Sequence, residues 1–227
     1  MYSSDWKRLI SVFGYGFVND LEQYKKILNL YAYRDMQPRT IKGLGKFNND
    51  IHNRSKMKNF LNMIALDLYN FIVNEPKKDI CEFDDWHHKE CIKFVNGFKK
   101  TTGISINYGK AQKIINVSFK YIYCLKNSNQ YSNKFTYCHM TLDSYTYYGN
   151  GKNSFYYSVV YKWATDINKK ITKPSVCWSS LDYSLYIEIQ NNIRDYINNT
   201  SYYIDKNRKK LTPFQAEFYI FDDFSSK

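Results

Sequence analysis

The chain has 227 residues and a mass of 27.2 kDa, which predicts one domain (1–227) that can bury a core without disulfide bonds. Hydrophobic residues make up 44% and charged residues 24%, so collagen-like and wholly disordered chains are excluded. No stretch reaches the roughly 18 apolar residues of a membrane span, and no secretory leader is visible. We therefore expect a cytoplasmic protein without membrane contact, and we expect it to be a monomer. With only 9 Gly and 4 Pro, the composition favours helices.

Basic residues dominate the charge. Lys and Arg outnumber Asp and Glu by 33 to 21, which gives a formal net charge of +12 and a pI near 9.3. Such an excess indicates a polyanionic partner, with DNA or other nucleic acid ahead of acidic membranes. AT-rich coding produces the same mixture of Lys, Asn, Ile and Tyr. The 23 Tyr suit base stacking, and they fit an aromatic core equally well.

Hydrophobic periodicity predicts helices throughout the N-terminal part, 1–76. A first helix covers WKRLISVF, a second begins at Asp20, and residues 36–50 are predicted to form a loop. The clearest helix follows Ser55, where apolar residues recur at three- and four-residue steps. Its stripe consists of Met57, Phe60, Leu61, Ile64, Ala65, Leu68, Phe71 and Ile72.

The central region, 84–148, is predicted to hold two long helices and a short one. Asp84 and Asp85 are placed to open the first of these, and the turn TTGISINYG separates it from a second helix after Gly109. A short helix downstream, capped by Thr141, would carry Asp143 in its first turn.

The C-terminal helices are predicted over 179–222. Ser179 or Ser180 would open one of them, and Thr212-Pro213-Phe214-Gln215 is a capping box for the last. The segment 154–163 fits a short β segment or a helix equally well. The sequence thus predicts an all-α fold, a compact bundle of about eight helices with a helix–turn–helix or hairpin element for DNA.

Side chains that could take part in catalysis or binding are concentrated between Asp84 and Tyr148. The start of the helix after Gly109 offers free N–H groups, which bind phosphate well. Lys110 and Lys113 lie in its first turns, and cationic surroundings favour the free amine, the nucleophilic form of a lysine. A carboxylate such as Asp143 could then assist proton transfer or stabilise a cationic sugar.

The order of helix, turn, helix with an early Lys, and a later Asp resembles the helix–hairpin–helix DNA glycosylase superfamily. It is most similar to the branch with a lysine nucleophile, which includes the archaeal 8-oxoguanine glycosylases. In that superfamily the hairpin binds the DNA backbone, the Lys attacks the anomeric carbon of a flipped-out nucleotide, and the Asp supports departure of the base. This chain has TTGISINYG in place of a short Leu-Pro-Gly-Val-Gly hairpin and lacks an iron–sulfur cysteine motif.

The resemblance implies roles for individual residues. Lys113 would be the nucleophile, with Lys110 as the alternative, and Asp143 would be the carboxylate; no cofactor is implied. Contacts to nucleic acid would come from Lys99, Lys100, Gly103, Gly109, Gln112 and His139. The flipped base would lie in a pocket formed by Trp86, Tyr145 and Tyr148. Each residue also has a plainer role, as a solvated lysine, a helix-terminal acid, a structural histidine or part of the core.

Two other classes of function stay open. The chain could be a non-catalytic protein that binds nucleic acid or another protein, such as a phage-related inhibitor or a regulatory factor in defence. A weaker alternative is a metal enzyme built from His87, Cys91 and Cys138, although their spacing matches no common zinc framework. For a glycosylase, a damaged purine in DNA repair and a modified base in phage DNA are both open as substrates.

Overall fold

The computed structural model describes residues 4–148, 154–201, 203–204 and 210–225. Its α-helices are α1 (Ser4–Phe13), α2 (Leu21–Lys26), α3 (Tyr33–Asp35), α4 (Leu44–Asn48), α5 (Ile51–Tyr69), α6 (Ile80–Thr102), α7 (Tyr108–Tyr123), α8 (Lys162–Asp166), α9 (Tyr183–Asn199) and α10 (Pro213–Ser225). Within the described ranges, β pairing is limited to isolated bridges. The predicted all-α fold is confirmed.

Several α-helices are extended or connected by π-helical turns, and short 3-10 turns lie between others. The π-helical turn Ile27–Ala32 joins α2 to α3, Asn70–Asn74 extends α5, and Tyr156–Tyr161 leads into α8. Short 3-10 turns lie at Pro38–Thr40, Ser128–Lys134 and Trp178–Ser180. The segment that fitted strand and helix equally well is thus helical, and Tyr156 and Val160 are among its buried side chains.

The helix α7 is the centre of the fold. Every residue from Tyr108 to Ile122 is buried, including its lysines and amides. It packs against α1, α6, the Ile27–Ala32 turn and the Trp178–Ser180 turn. Because a helix buried on all sides leaves no polar group to water, each polar side chain of α7 must find a partner inside the protein.

The starts of three helices differ from the prediction. Helix α6 begins before Asp84, because Asp79 accepts from the Glu82 N–H (2.9 Å) while its own N–H donates to the Glu82 carboxylate (2.8 Å). Helix α5 begins at Ile51 behind Asp50, and α9 begins behind Asp182 instead of Ser179 or Ser180. In each case an Asp is the N-cap and accepts from backbone N–H groups of the first turn.

Two segments predicted as a loop and a helix are folded differently. Residues 36–50 contain the Pro38–Thr40 turn and α4, and left-handed residues at Gln37 (φ 58°) and Gly43 (φ 87°) precede them. No helix begins behind Thr141; a tight turn follows it.

The predicted capping box of α10 is confirmed, since the Gln215 N–H donates to Thr212 Oγ1 (3.3 Å) and the Thr212 N–H to Gln215 Oε1 (3.1 Å).

Candidate functional site

A cavity of about 530 Å³ lies between α1, the 34–39 segment, α7, the 141–145 turn and α10, and is termed the cleft. Its volume falls within the range of small-molecule sites in proteins. Charged residues dominate its walls. The basic ones are Arg8, Arg34, Arg39, Lys113 and Lys120, and the acidic ones are Asp5, Asp35, Asp143 and Glu217.

Lys113 and Asp143 meet at the wall of the cleft. Lys113 Nζ lies 3.4 Å from Asp143 Oδ2, and the two side chains are only 9% and 12% exposed. The other carboxylate oxygen, Oδ1, accepts from the N–H groups of Tyr145 (2.9 Å) and Thr146 (3.1 Å), so it closes the turn that replaces the expected short helix. Burial opposes ionisation of Asp143, but Lys113 and the two N–H groups outweigh it and lower the pKa of this carboxyl.

A second ion-pair cluster forms the back of the cleft. Lys120 Nζ lies 3.1 Å from Glu217 Oε1 and 3.4 Å from Asp5 Oδ2. The Phe221 ring centroid is 5.5 Å from the same Nζ. Burial favours neutral Lys120, yet the two carboxylates outweigh it and raise the pKa of the ammonium. Lys120 therefore stays a cation close to Asp143.

Lys110, the alternative nucleophile, points to a different place. Its ammonium donates to Met36 O (2.9 Å), Gln37 O (3.3 Å) and Thr40 Oγ1 (2.8 Å), which attaches the 36–40 segment to α7. Burial lowers the pKa of Lys110 to about 8, and the charge of Lys113 adds to this effect. Although this pKa suits a nucleophile, Lys110 is not among the cleft-lining residues, and its donors are engaged.

The predicted phosphate-binding N–H groups are engaged within the protein. The Gly109 N–H donates to Leu181 O (3.1 Å), and the Gly109 Cα faces the Trp178 carbonyl so closely that a Cβ would lie 1.9 Å from its oxygen. Gln112 is fully buried, and its amide donates to Gly109 O (3.0 Å) and Leu142 O (2.7 Å). In this arrangement neither residue reaches a phosphate. Gly103, in contrast, ends α6 in the left-handed region (φ 74°) and is exposed, like Lys99 and Lys100.

One of the three predicted base-pocket aromatics lines the cleft. Tyr145 stands edge-on to Phe221, with ring centroids 5.2 Å apart. Trp86 is stacked on Phe71 (4.1 Å), and Tyr148 contacts Tyr147 and Tyr157, so neither belongs to the cleft walls. The sequence does not predict Phe221 at this site, because the α10 capping box marks the start of the helix and not the face that it turns to the cleft.

Three arginines of the cleft were missed as well. They are Arg8, Arg34 and Arg39, from α1, α3 and the turn after it. No local pattern marks them, because they reach the cleft only through the packing of these segments on α7.

His139 belongs to a buried hydrogen-bonded network. Its Nε2 donates to Asp84 Oδ1 (2.7 Å), and its Nδ1 accepts from Tyr186 Oη (2.7 Å). The Arg194 guanidinium binds both oxygens of Asp84 (2.6 and 2.8 Å). Burial lowers the pKa of His139 to about 4; the Asp84 hydrogen bond opposes this and Arg194 adds to it. His139, 1% exposed, thus has a structural role in this fold.

The network continues to the candidate site. Asn116 Nδ2 donates to Tyr186 Oη (2.9 Å) and to Gln112 Oε1 (3.1 Å). Gln112 Oε1 also accepts from the Leu142 N–H (3.2 Å), and its amide donates back to Leu142 O. Hydrogen bonds therefore connect Asp84 to the backbone beside Asp143, which fixes the turn that presents this carboxylate.

His87 and Cys91 share a face of α6 as predicted, with Sγ 3.7 Å from Nδ1. The His87 Nε2 donates to Asn116 Oδ1 (2.8 Å), so this imidazole belongs to the same network. Among the described residues, no group of three or more His, Cys, Asp or Glu side chains is arranged to hold a metal ion.

No family model matches the chain, and no curated protein and no solved structure is significantly similar to it. None of the helices in the described part has the length and apolar character needed to cross a bilayer.

Proposed function

We propose that the protein is a DNA glycosylase that excises a flipped-out base in the cleft, with Lys113 and Asp143 as the catalytic pair. The observation that supports this most is the meeting of these two residues. They lie 30 positions apart in the sequence, yet their charged atoms are 3.4 Å apart at the wall of a cavity of about 530 Å³. A Lys nucleophile beside an ionised carboxylate is the arrangement that the resemblance to lysine-nucleophile glycosylases implies.

The reaction follows from the positions of these groups. Lys113 Nζ, after losing a proton, forms a bond to C1′ of the nucleotide while the bond from C1′ to the base nitrogen breaks. The electron pair of that bond leaves with the base, which takes up a proton. The C1′–O4′ bond of the resulting aminal then breaks, and O4′ takes the proton that the lysine nitrogen releases, so that a C=N bond joins Lys113 to the opened sugar. Asp143 is the nearest proton acceptor to Lys113, and its carboxylate stabilises positive charge that develops on the sugar. Lys120 stays protonated between Asp5 and Glu217 at the back of the cleft.

Other residues of the cleft suit a nucleotide. Tyr145 and Phe221 offer aromatic surfaces against which a flipped base can stack. Arg34 and Arg39 are exposed at the cleft and can neutralise the flanking phosphates. The excised base could be a damaged purine or a modified base, both of which the sequence leaves open.

The test is base release from DNA duplexes that carry 8-oxoguanine or a modified cytosine. Asp143→Asn keeps the Oδ1 acceptor of the turn and removes the negative charge. It should lower the single-turnover rate about 10²–10⁴-fold, the usual contribution of an acid–base group. Asp85→Asn, on the exposed face of α6, is the matched control and should keep the rate. If the wild type binds DNA but releases no base, the protein is a non-catalytic binding protein and the proposal fails.

A further inference from the structure

Two segments beside the cleft contain no acidic residue. Residues 36–49 carry Arg39, Lys42 and Lys46, and residues 91–142 carry eight lysines without one Asp or Glu. The structure packs these segments together. Lys110 of the second segment donates to Met36 O and Thr40 Oγ1 of the first, and a Cβ at Gly43 would lie 3.5 Å from Ile104 Cδ1.

Five cations of these segments form what is termed the basic surface: Arg39, Lys42, Lys46, Lys99 and Lys100. All five side chains are exposed. None of them makes an ion pair with an Asp or Glu in the part of the chain that the structure describes, unlike Lys113 and Lys120 in the cleft. Exposed cations without acidic partners are available to pair with the phosphates of a polyanion.

The basic surface is continuous with the cleft. Arg39 belongs to both, since it also lines the cleft beside Gln37 and Pro38. At the start of α7, the other candidate phosphate site, the Gly109 N–H donates to Leu181 O, the Lys110 N–H donates to Asn107 O, and the Trp178–Ser180 turn packs against Gly109. A DNA backbone that delivers a nucleotide to the cleft must therefore be bound by side chains.

We propose that the basic surface binds the phosphate backbone of the DNA strand whose nucleotide enters the cleft. This inference rests on the proposed function for the identity of the strand. The hairpin turn contributes through the lysines that precede it, Lys99 and Lys100, and the 38–48 segment supplies the remaining contacts. Neutralised phosphates release counterions, so binding by such a surface depends steeply on salt.

The test compares two triple variants of equal charge change. Lys42→Gln/Lys46→Gln/Lys100→Gln removes three lysines of the basic surface, and Lys162→Gln/Lys170→Gln/Lys173→Gln removes three exposed lysines near α8. Fluorescence anisotropy on a duplex with a tetrahydrofuran abasic analogue gives the affinity over a series of KCl concentrations. The first variant should lose about 10–100-fold in affinity, and its slope of log K against log salt should fall by about 2–3. The control should lose less than about threefold.

The outcomes separate this inference from the proposed function. Equal losses of DNA affinity in the two variants overturn the inference about the basic surface, whether or not the wild type releases a base. A selective loss in the first variant supports the surface even if the wild type releases no base, in which case only the glycosylase proposal fails. Absence of salt-dependent DNA binding by the wild type overturns both, and an acidic protein would then be the remaining partner for these lysines. Circular dichroism and thermal unfolding must show that both variants are folded.

Discussion

At the residue scale, Gly109 has the tightest surroundings of the glycines that the structure describes. It lies at the start of α7, where a Cβ would be 1.9 Å from the Trp178 carbonyl oxygen and 2.9 Å from the carbonyl carbon. These are backbone atoms, so they cannot move away as the end of a flexible side chain could. This backbone contact lies beside the Trp178 ring. The ring centroid is 4.7 Å from both Lys110 Nζ and Lys113 Nζ.

We expect Gly109→Ala to lower the free energy of unfolding by about 2–3 kcal/mol, because the inserted methyl forces the Trp178 segment away from α7. Gly45→Ala is the matched control. Gly45 lies within α4, and a methyl group added to it would have no neighbouring atom within 4 Å, so alanine there should stabilise the protein by about 0.5–1 kcal/mol. Urea unfolding measures both; equal effects of the two substitutions would contradict the close packing.

The pairing of Lys113 with Asp143 could be predicted from the sequence, but its local geometry could not. A Lys early in a helix and an Asp further along were visible as a pattern. The turn that holds Asp143 depends on Gln112, a buried amide of α7 that binds the Leu142 backbone. The resemblance already favours Lys113 over Lys110, but only the tertiary structure shows that the Lys110 ammonium is bound by the 36–40 segment.

At the scale of elements, one lysine holds three helices together. Lys120 of α7 is paired with Asp5 of α1 and Glu217 of α10, and all three side chains are buried. Removal of one partner from a buried ionic cluster leaves the others desolvated without compensation. The cluster should therefore respond more strongly to single substitutions than to a paired one.

We expect Lys120→Met to lower the free energy of unfolding by about 3–5 kcal/mol. Glu217→Gln added to Lys120→Met should restore about 1 kcal/mol or more, because one of the uncompensated carboxylates is then neutral. A double-mutant cycle by urea unfolding gives the coupling. Strictly additive losses would mean that Lys120 and Glu217 do not act as a pair.

Helix positions were predictable to the extent that hydrophobic stripes mark them. The stripe from Met57 to Ile72 is buried as expected, whereas the start of α6 was misplaced by the pair Asp84-Asp85. An Asp can cap a helix or pair with a distant cation, and the sequence does not show which. Here Arg194 and His139 bind Asp84, and Asp79 with Glu82 caps the helix.

At the scale of the whole molecule, the network that contains His139 couples stability to pH. The pKa of His139 is lowered to about 4 by burial, while an unfolded histidine titrates near about 6.5. Between these values the unfolded chain binds a proton that the folded protein does not. The contribution of neutral His139 to the free energy of unfolding is therefore complete above about pH 6.5 and is lost as the pH falls towards 4.

Urea unfolding at a series of pH values tests this coupling. The free energy of unfolding should fall by up to about 1.4 kcal/mol per pH unit below about pH 6.5 for each such histidine. The pKa of buried His87 is lowered as well, so His139→Gln should flatten the slope in part. His52→Gln, on the exposed start of α5, is the control for the substitution itself. A wild-type slope near zero would contradict a neutral, buried His139.

The central claim, that Lys113 attacks the sugar in the cleft, is tested most directly by borohydride trapping. Borohydride reduces the C=N bond of a lysine–sugar Schiff base to a stable amine, so a nucleophilic lysine stays attached to DNA that carries an abasic site or 8-oxoguanine. The wild type and Lys110→Gln should form this adduct, Lys113→Gln should not, and mass spectrometry should locate the sugar on the peptide that contains Lys113. An adduct that persists in Lys113→Gln, or no adduct with the wild type although it binds the DNA, would contradict the account.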